Sequence, residues 1–177
     1  AAGLLVITLH ASTHAYLDGT FELESLVQKL NEVVFDASTE YKYITAVFTV
    51  LDPKKGELIT VNAGHNPTYI IRKNKTLEEI STGGIPLGMA KIAFPYESSK
   101  VVLNPGDSLF FYTDGVTEAM NENEEEYDDI RPLKNFLTSH KTSSAKEFIS
   151  DLMSDLNDFT EHTPQSDDIT CLYLKRN

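Results

Sequence analysis

Three regimes of hydrophobic and polar spacing follow one another along the chain. Between residues 21 and 35, Leu23, Leu26, Val27, Leu30, Val33 and Val34 recur three or four apart, which predicts a helix with one apolar stripe. Thr20 is placed as its N-cap and Gly19 breaks the chain before it. Residues 1–17, beginning "AAGLLVITLHA", read as an earlier helix that starts abruptly, as though cut from something longer. From residue 43 the period shortens. "YITAVFTVLD" (43–52), "GELITVNAG" (56–64) and "PTYIIR" (67–72) are β-branched or aromatic runs separated by turn residues, followed by a weak run, "LEEIS". "YESSKVVLN" (96–104) and "DSLFFYT" (107–113) come next, joined at Pro105-Gly106, a type II turn signal, so the middle of the chain is expected to be a meander of antiparallel strands. Helical spacing returns in Phe148, Ile149, Leu152, Met153, Leu156 and Phe159, behind a capping box formed by Ser144 and Glu147. A shorter helix is expected at 130–138 with Pro132 in its first turn, and "DDITCLYLK" closes the chain as a strand. Strands flanked by helices at both ends predict an α+β layered domain.

Composition fits one folded domain. The 177 residues are 41% hydrophobic and 24% charged, the balance of a globular protein. Asp and Glu outnumber Lys and Arg by 27 to 15, a net charge of −12 that argues against nucleic acid and against an anionic membrane surface as partners. The first apolar run is too short to span a bilayer and lacks a basic flank, so no membrane insertion is expected of this segment. Cys171 is the single cysteine, which excludes an intrachain disulfide and a thiolate metal cage and suits a reducing compartment.

Candidate chemistry gathers at two strand ends. Asp114 lies just past the strand "SLFFYT", and Asp167 and Asp168 lie at the start of "ITCLYL". If these strands pair antiparallel, the end of one and the beginning of the other share one sheet edge and the carboxylates converge. Converging carboxylates need a shared proton or a cation between them, and hard divalent ions such as Mg²⁺ and Mn²⁺ take oxygen ligands. By itself the Asp-Gly after a strand signals a turn. "VNAGHNP" is a second turn, in which His65 reads as an exposed turn residue, a phosphate contact or an acid. His10, His14, His140 and His162 fall on helices or a helix end and receive no role. "NENEEEYDD" lacks the rhythm of a calcium loop and reads as a solvated loop.

Taken in order, "VNAGHNP", "TGGIPLG", "LNPGDSLFFYTDGVTEAMN" and "SDDIT" resemble the SpoIIE/RsbU-type bacterial serine phosphatases, a branch of the metal-dependent type-2C (PPM) protein phosphatases. The resemblance implies an α-β-β-α sandwich of two antiparallel sheets flanked by helices, with residues 1–177 as a single phosphatase domain. It implies hydrolysis of phosphoserine or phosphothreonine on a regulatory protein by a water that two Mn²⁺ or Mg²⁺ ions activate. The substrate would be a phosphorylated anti-sigma-factor antagonist, in sigma-factor or stress signalling in the cytoplasm. In that family the aspartate of Tyr-Thr-Asp-Gly and the first of the late aspartate pair are metal ligands, here Asp114 and Asp167. Asp168 joins the metal group as a supporting neighbour, and His65, with Asn62 and Gly115, is placed on the substrate side.

One departure qualifies the resemblance. The family draws further metal-binding aspartates from an early Gly-Asp-x-x-Asp segment and from an aspartate ahead of Gly-His-Gly, and neither motif occurs in these 177 residues. The N-terminal metal-binding segment and the first strands of one sheet are therefore expected to be missing. Two divalent ions carry more charge than two carboxylates and a hydroxide balance, so inactivity of the isolated chain is compatible with the resemblance. An unpaired sheet edge would be covered by a partner chain, a homodimer included. The alternative reading is a non-catalytic regulatory or scaffolding module of the same fold.

Overall fold

In the computed structural model the described residues are 2–17, 22–38, 42–81, 83–91, 95–140, 144–161 and 163–177; Gly19 and Thr20, the expected breaker and N-cap, lie outside them. The elements in chain order begin with α1 (Ala2–Tyr16), α2 (Leu23–Ala37), β1 (Ala46–Asp52), β2 (Glu57–Ala63), β3 (Thr68–Ile71), β4 (Leu77–Ile80) and β5 (Ser99–Val102). They continue with β6 (Ser108–Tyr112), α3 (Asp114–Thr117), α4 (Tyr127–Ile130), α5 (Leu133–Ser139), α6 (Ala145–Thr160) and β7 (Cys171–Lys175). No helix among the described residues is long and apolar enough to cross a membrane.

Two compact units divide these elements. The first comprises Ala1–His65 and Ser81–Val102. Its antiparallel sheet has the order β1-β2-β5, with Ala46 opposite Ala63 and Asp52 opposite Glu57. The stripe Leu23, Leu26, Val27, Leu30 and Val34 is buried against Val61, Ala63 and Leu87, as the helical spacing requires. Asn31 interrupts that stripe and is fully buried, so its amide must be satisfied: it accepts from the Gly88 N–H at 2.9 Å and donates to the Ala90 carbonyl at 3.0 Å.

The second unit comprises Asn66–Ile80 and Leu103–Asn177. Its antiparallel sheet has the order β4-β3-β6-β7. Phe148, Leu152, Leu156 and Phe159 of α6 are buried with Phe110 and Tyr112 of β6. Ser144 caps α6 as expected, its Oγ accepting from the Glu147 N–H at 3.2 Å.

The expected class, two antiparallel sheets with flanking helices, is the one observed; the single meander is not. The chain leaves one sheet for the other between β2 and β3, and β5 returns to pair with β2 while β6 pairs with β3. Periodicity identifies a strand but not its neighbour, and a short turn serves a crossing as well as a hairpin. The turn at Pro105-Gly106 forms as expected, with Gly106 at φ +96° and the Asp107 N–H donating to the Asn104 carbonyl at 2.9 Å, but it joins strands of different sheets. The weak run "LEEIS" supplies a true edge strand, β4. Pro132 is not in the first turn of a 130–138 helix but precedes α5 as its N-cap residue, and Asp128 accepts the Leu133 N–H at 2.7 Å. The acidic loop is closed by Asn121, whose Oδ1 accepts from the N–H groups of Asn123 and Glu125 at 2.9 and 3.1 Å.

Asp107, only 2% exposed, is a buried charge in the second unit. Arg72 Nη1 donates to it at 2.8 Å, and the N–H groups of Lys73 and Asn104 donate at 2.9 and 2.8 Å. Burial alone would push its carboxyl up, but the guanidinium and the two N–H groups outweigh that and hold it below its ordinary value. A carboxyl that titrates lower in the fold contributes fully above its unfolded value of about 3.9, and the contribution is lost as pH falls through the lower folded value. Stability is therefore expected to decline in acid below about pH 4. Asp107→Asn is expected to cost about 1–3 kcal/mol at neutral pH and to flatten the acid decline, as read by urea unfolding at a series of pH values.

Candidate active site

The pairing of β6 with β7 sets the site. Ser108 lies opposite Lys175 and Tyr112 opposite Cys171, so residues 113 onward and residues 170 backward leave the ladder at one edge. The pairing continues one step beyond the strands, where the Thr113 N–H donates to the Thr170 carbonyl at 3.0 Å. Tyr112 anchors this end: it is buried, its ring stacked on Phe110 at 5.6 Å and on Tyr69 at 5.9 Å, and burial chiefly pushes its phenol up. Cys171, across from it, has its thiol pushed up to about 11 by burial, which keeps it protonated at neutral pH.

Beyond the ladder the chain turns into α3, with Asp114 as its first residue. Its Oδ1 accepts from the Gly115 N–H at 3.0 Å and its carbonyl from the Glu118 N–H at 2.8 Å. Asp167 Oδ1 likewise accepts from the Asp168 N–H at 2.7 Å, and the Asp167 carbonyl accepts from Gln165 Nε2 at 2.5 Å. Asp114, Asp167 and Asp168 are all exposed. Gly115 is buried against the opposing segment: a Cβ there would lie 2.6 Å from the Asp168 carbonyl oxygen and 3.3 Å from that of Asp167, so no side chain fits. The sheet register thus brings Gly115, the residue after Asp114, against the backbone of the Asp167-Asp168 segment at the sheet edge that the two strand ends share.

The other expected site residues lie in the first unit. Asn62 is buried and its amide closes the turn that carries His65, accepting from the His65 N–H at 2.7 Å and donating to the His65 carbonyl at 3.0 Å. His65 Nδ1 is 3.1 Å from Thr45 Oγ1. Thr113 and Gln165 were not singled out from sequence, because a threonine before an aspartate and a glutamine in a polar loop gain meaning only once the register is known.

The donor chemistry at this edge suits a hard cation. Asp114 and Asp167 each commit one oxygen to a backbone N–H, and their second carboxylate oxygens are anionic ligands of the kind Mg²⁺ and Mn²⁺ take. The number of donors is small: among the described residues no group of three or more His, Cys, Asp or Glu side chains is arranged to hold a metal ion. A recess of about 170 Å³ adjoins the edge, lined by Gly115, Met120, Asn157, Thr163 and Gln165 among others. A wider cleft of about 680 Å³ lies along α5 and α6, away from the carboxylates. Two ion pairs cross it, Arg131 bonded to Asp155 at 3.0 Å and His140 to Asp151 at 2.8 Å.

The family model for Stage II sporulation protein E (SpoIIE) matches residues 1–177. The chain belongs to the SpoIIE family. Protein IcfG of Synechocystis sp. (strain PCC 6803) is 29% identical over 168 residues, which span 90% of this chain and 26% of that protein. Phosphoserine phosphatase RsbU of Bacillus subtilis (strain 168) is 28% identical over 155 residues, 85% of this chain and 44% of that protein. The SpoIIE-family chain therefore spans less than half the length of these relatives. The SiaA-PP2C domain of Pseudomonas aeruginosa has the same fold, with a TM-score of 0.81 at 18% identity, covering 98% of this chain and 70% of that one. The SpoIIE-family chain thus has the fold of the PP2C phosphatase domains.

Proposed function

We propose that this domain hydrolyses phosphoserine or phosphothreonine monoesters on a regulatory protein, with Asp114 and Asp167 as metal ligands and Asp168 supporting them. The observation that carries the reading is the β6-β7 register, which brings the end of one strand and the approach to the other to a single sheet edge. When bound, the cations supply positive charge to the phosphoryl oxygens and acidify the attacking water. The chain's own contribution is to present carboxylate oxygens there. His65 is proposed, on the family resemblance, as a residue that meets substrate. RsbU is named a phosphoserine phosphatase, which supports a phosphoserine substrate here; the family resemblance extends the proposal to a phosphorylated anti-sigma-factor antagonist in a cytoplasmic sigma-factor or stress pathway. Two metal ions carry more charge than these carboxylates and a hydroxide balance, so a two-metal set needs further anionic ligands.

The small donor set favours a second reading, a regulatory or scaffolding module of the same fold without catalysis. Phosphate release from a phosphoserine-bearing protein in Mn²⁺ separates the two, measured for this chain and for a version extended upstream as encoded. The extended version is expected to be active; an extended version that binds no Mn²⁺ and releases no phosphate would establish the scaffolding reading instead.

A further inference from the structure

The residues on either side of Asp114 hold the opposing segment in place. Thr113 Oγ1 donates to the Asp168 carbonyl at 3.0 Å and accepts from the Thr170 N–H at 3.0 Å, while the Thr113 N–H donates to the Thr170 carbonyl at 3.0 Å. One side chain and its own backbone thereby bracket residues 168–170. On the other side of Asp114, the bare Cα of Gly115 leaves room for the same Asp168 carbonyl, which lies 2.6 Å from where a Cβ would stand. The Asp168 carbonyl is thus pinned between a hydroxyl donor and a glycine. The Asp168 N–H, at the other end of that residue, in turn holds Asp167 Oδ1 at 2.7 Å.

We propose that Thr113, with Gly115, is a positioning residue that fixes the Asp167-Asp168 segment relative to Asp114 so that the carboxylates meet a divalent cation in one geometry. This rests on the reading of Asp114 and Asp167 as metal ligands. Groups that orient ligands in this way cost about 10- to 100-fold in metal affinity or activity when removed. Valine matches threonine in shape but removes the hydroxyl, leaving the Asp168 carbonyl and the Thr170 N–H to water. Serine keeps the hydroxyl.

Two measurements on the full-length protein as encoded test this. In metal-free protein, mass-detected hydrogen exchange over residues 166–171 is expected to quicken about tenfold in Thr113→Val and to stay near wild type in Thr113→Ser, with β3 as the unchanged internal reference. In titrations with Mn²⁺ alone, Thr113→Val is expected to bind about 10- to 100-fold more weakly and Thr113→Ser to bind as wild type does. Unchanged exchange in Thr113→Val would overturn the clamp, and faster exchange with unchanged Mn²⁺ affinity would overturn its role in positioning. Asp114→Asn, run beside them, reads the metal assignment separately: Mn²⁺ affinity that survives Asp114→Asn defeats the ligand reading whatever Thr113→Val does to exchange.

Discussion

Asp114→Asn is expected to lower hydrolysis of a phosphoserine protein by more than about 100-fold in the full-length protein with Mn²⁺, exceeding the about 10- to 100-fold typical of groups that only orient ligands. Asparagine has the same shape, and its Oδ1 can still accept the Gly115 N–H that Asp114 accepts at 3.0 Å. Asp114 is exposed, so no packing is lost, and the unfolding midpoint is expected to stay close to that of wild type. What disappears is one negative charge among few, at an edge where the proposed cations need every carboxylate available. Steady-state kinetics across a range of Mn²⁺ concentrations check this. A loss of metal affinity alone would be recovered at high Mn²⁺, whereas loss of a ligand that also holds the ion in place would leave kcat depressed at saturation. Activity within a few-fold of wild type would remove Asp114 from the metal site.

The placement of Asp114 was legible because it depended on regular features. An apolar run ending in Asp-Gly and another beginning after Asp-Asp are both visible by eye, and one assumption of antiparallel pairing puts their ends together. The stripes of α2 and α6 and the Ser144 cap were legible for the same reason, since helical spacing and capping are local physics. Strand partners were not. β2 carries no mark that it pairs with β5, nor β3 that it pairs with β6, because the choice is made by which faces the two units bury. Pro132 shows a smaller version of the same limit: its lack of an N–H allowed a place inside the first turn of a helix at 130–138, yet the Asp128 carboxylate accepts the Leu133 N–H and α5 starts three residues later, at Leu133. The roles of Thr113 and Gly115 stayed hidden because they arise from contacts with residues more than fifty positions away. The motif of Asn62 points to the substrate side, and its amide closes the turn beneath His65.

Phe148→Ala is expected to cost about 3–5 kcal/mol. Phe148 is 2% exposed. Its ring stacks on Tyr173 of β7 at 4.0 Å and meets Phe110 of β6 edge-on at 5.5 Å and Phe136 of α5 at 5.6 Å. The residue therefore ties α6 to the two strands whose ends carry Asp114 and Asp167, and also to α5. Rigid aromatic neighbours held by the β6-β7 ladder cannot collapse into the space, so the cavity term adds to the lost transfer energy. Against a total stability of about 5–15 kcal/mol, this leaves a marginally folded second unit. Urea unfolding followed by far-ultraviolet circular dichroism should show the midpoint falling with little change in slope. Phe148→Leu, which leaves a smaller void, is expected to fall between the two. If the Asp114 edge binds Mn²⁺ in the full-length protein, saturating ion should recover part of the loss, about 2.7 kcal/mol at one hundred times the Kd, because the ion binds the folded ladder and not the unfolded chain. Such recovery in Phe148→Ala, absent when Asp114→Asn is added, would link the core under α6 to the carboxylates at the sheet edge through folding alone.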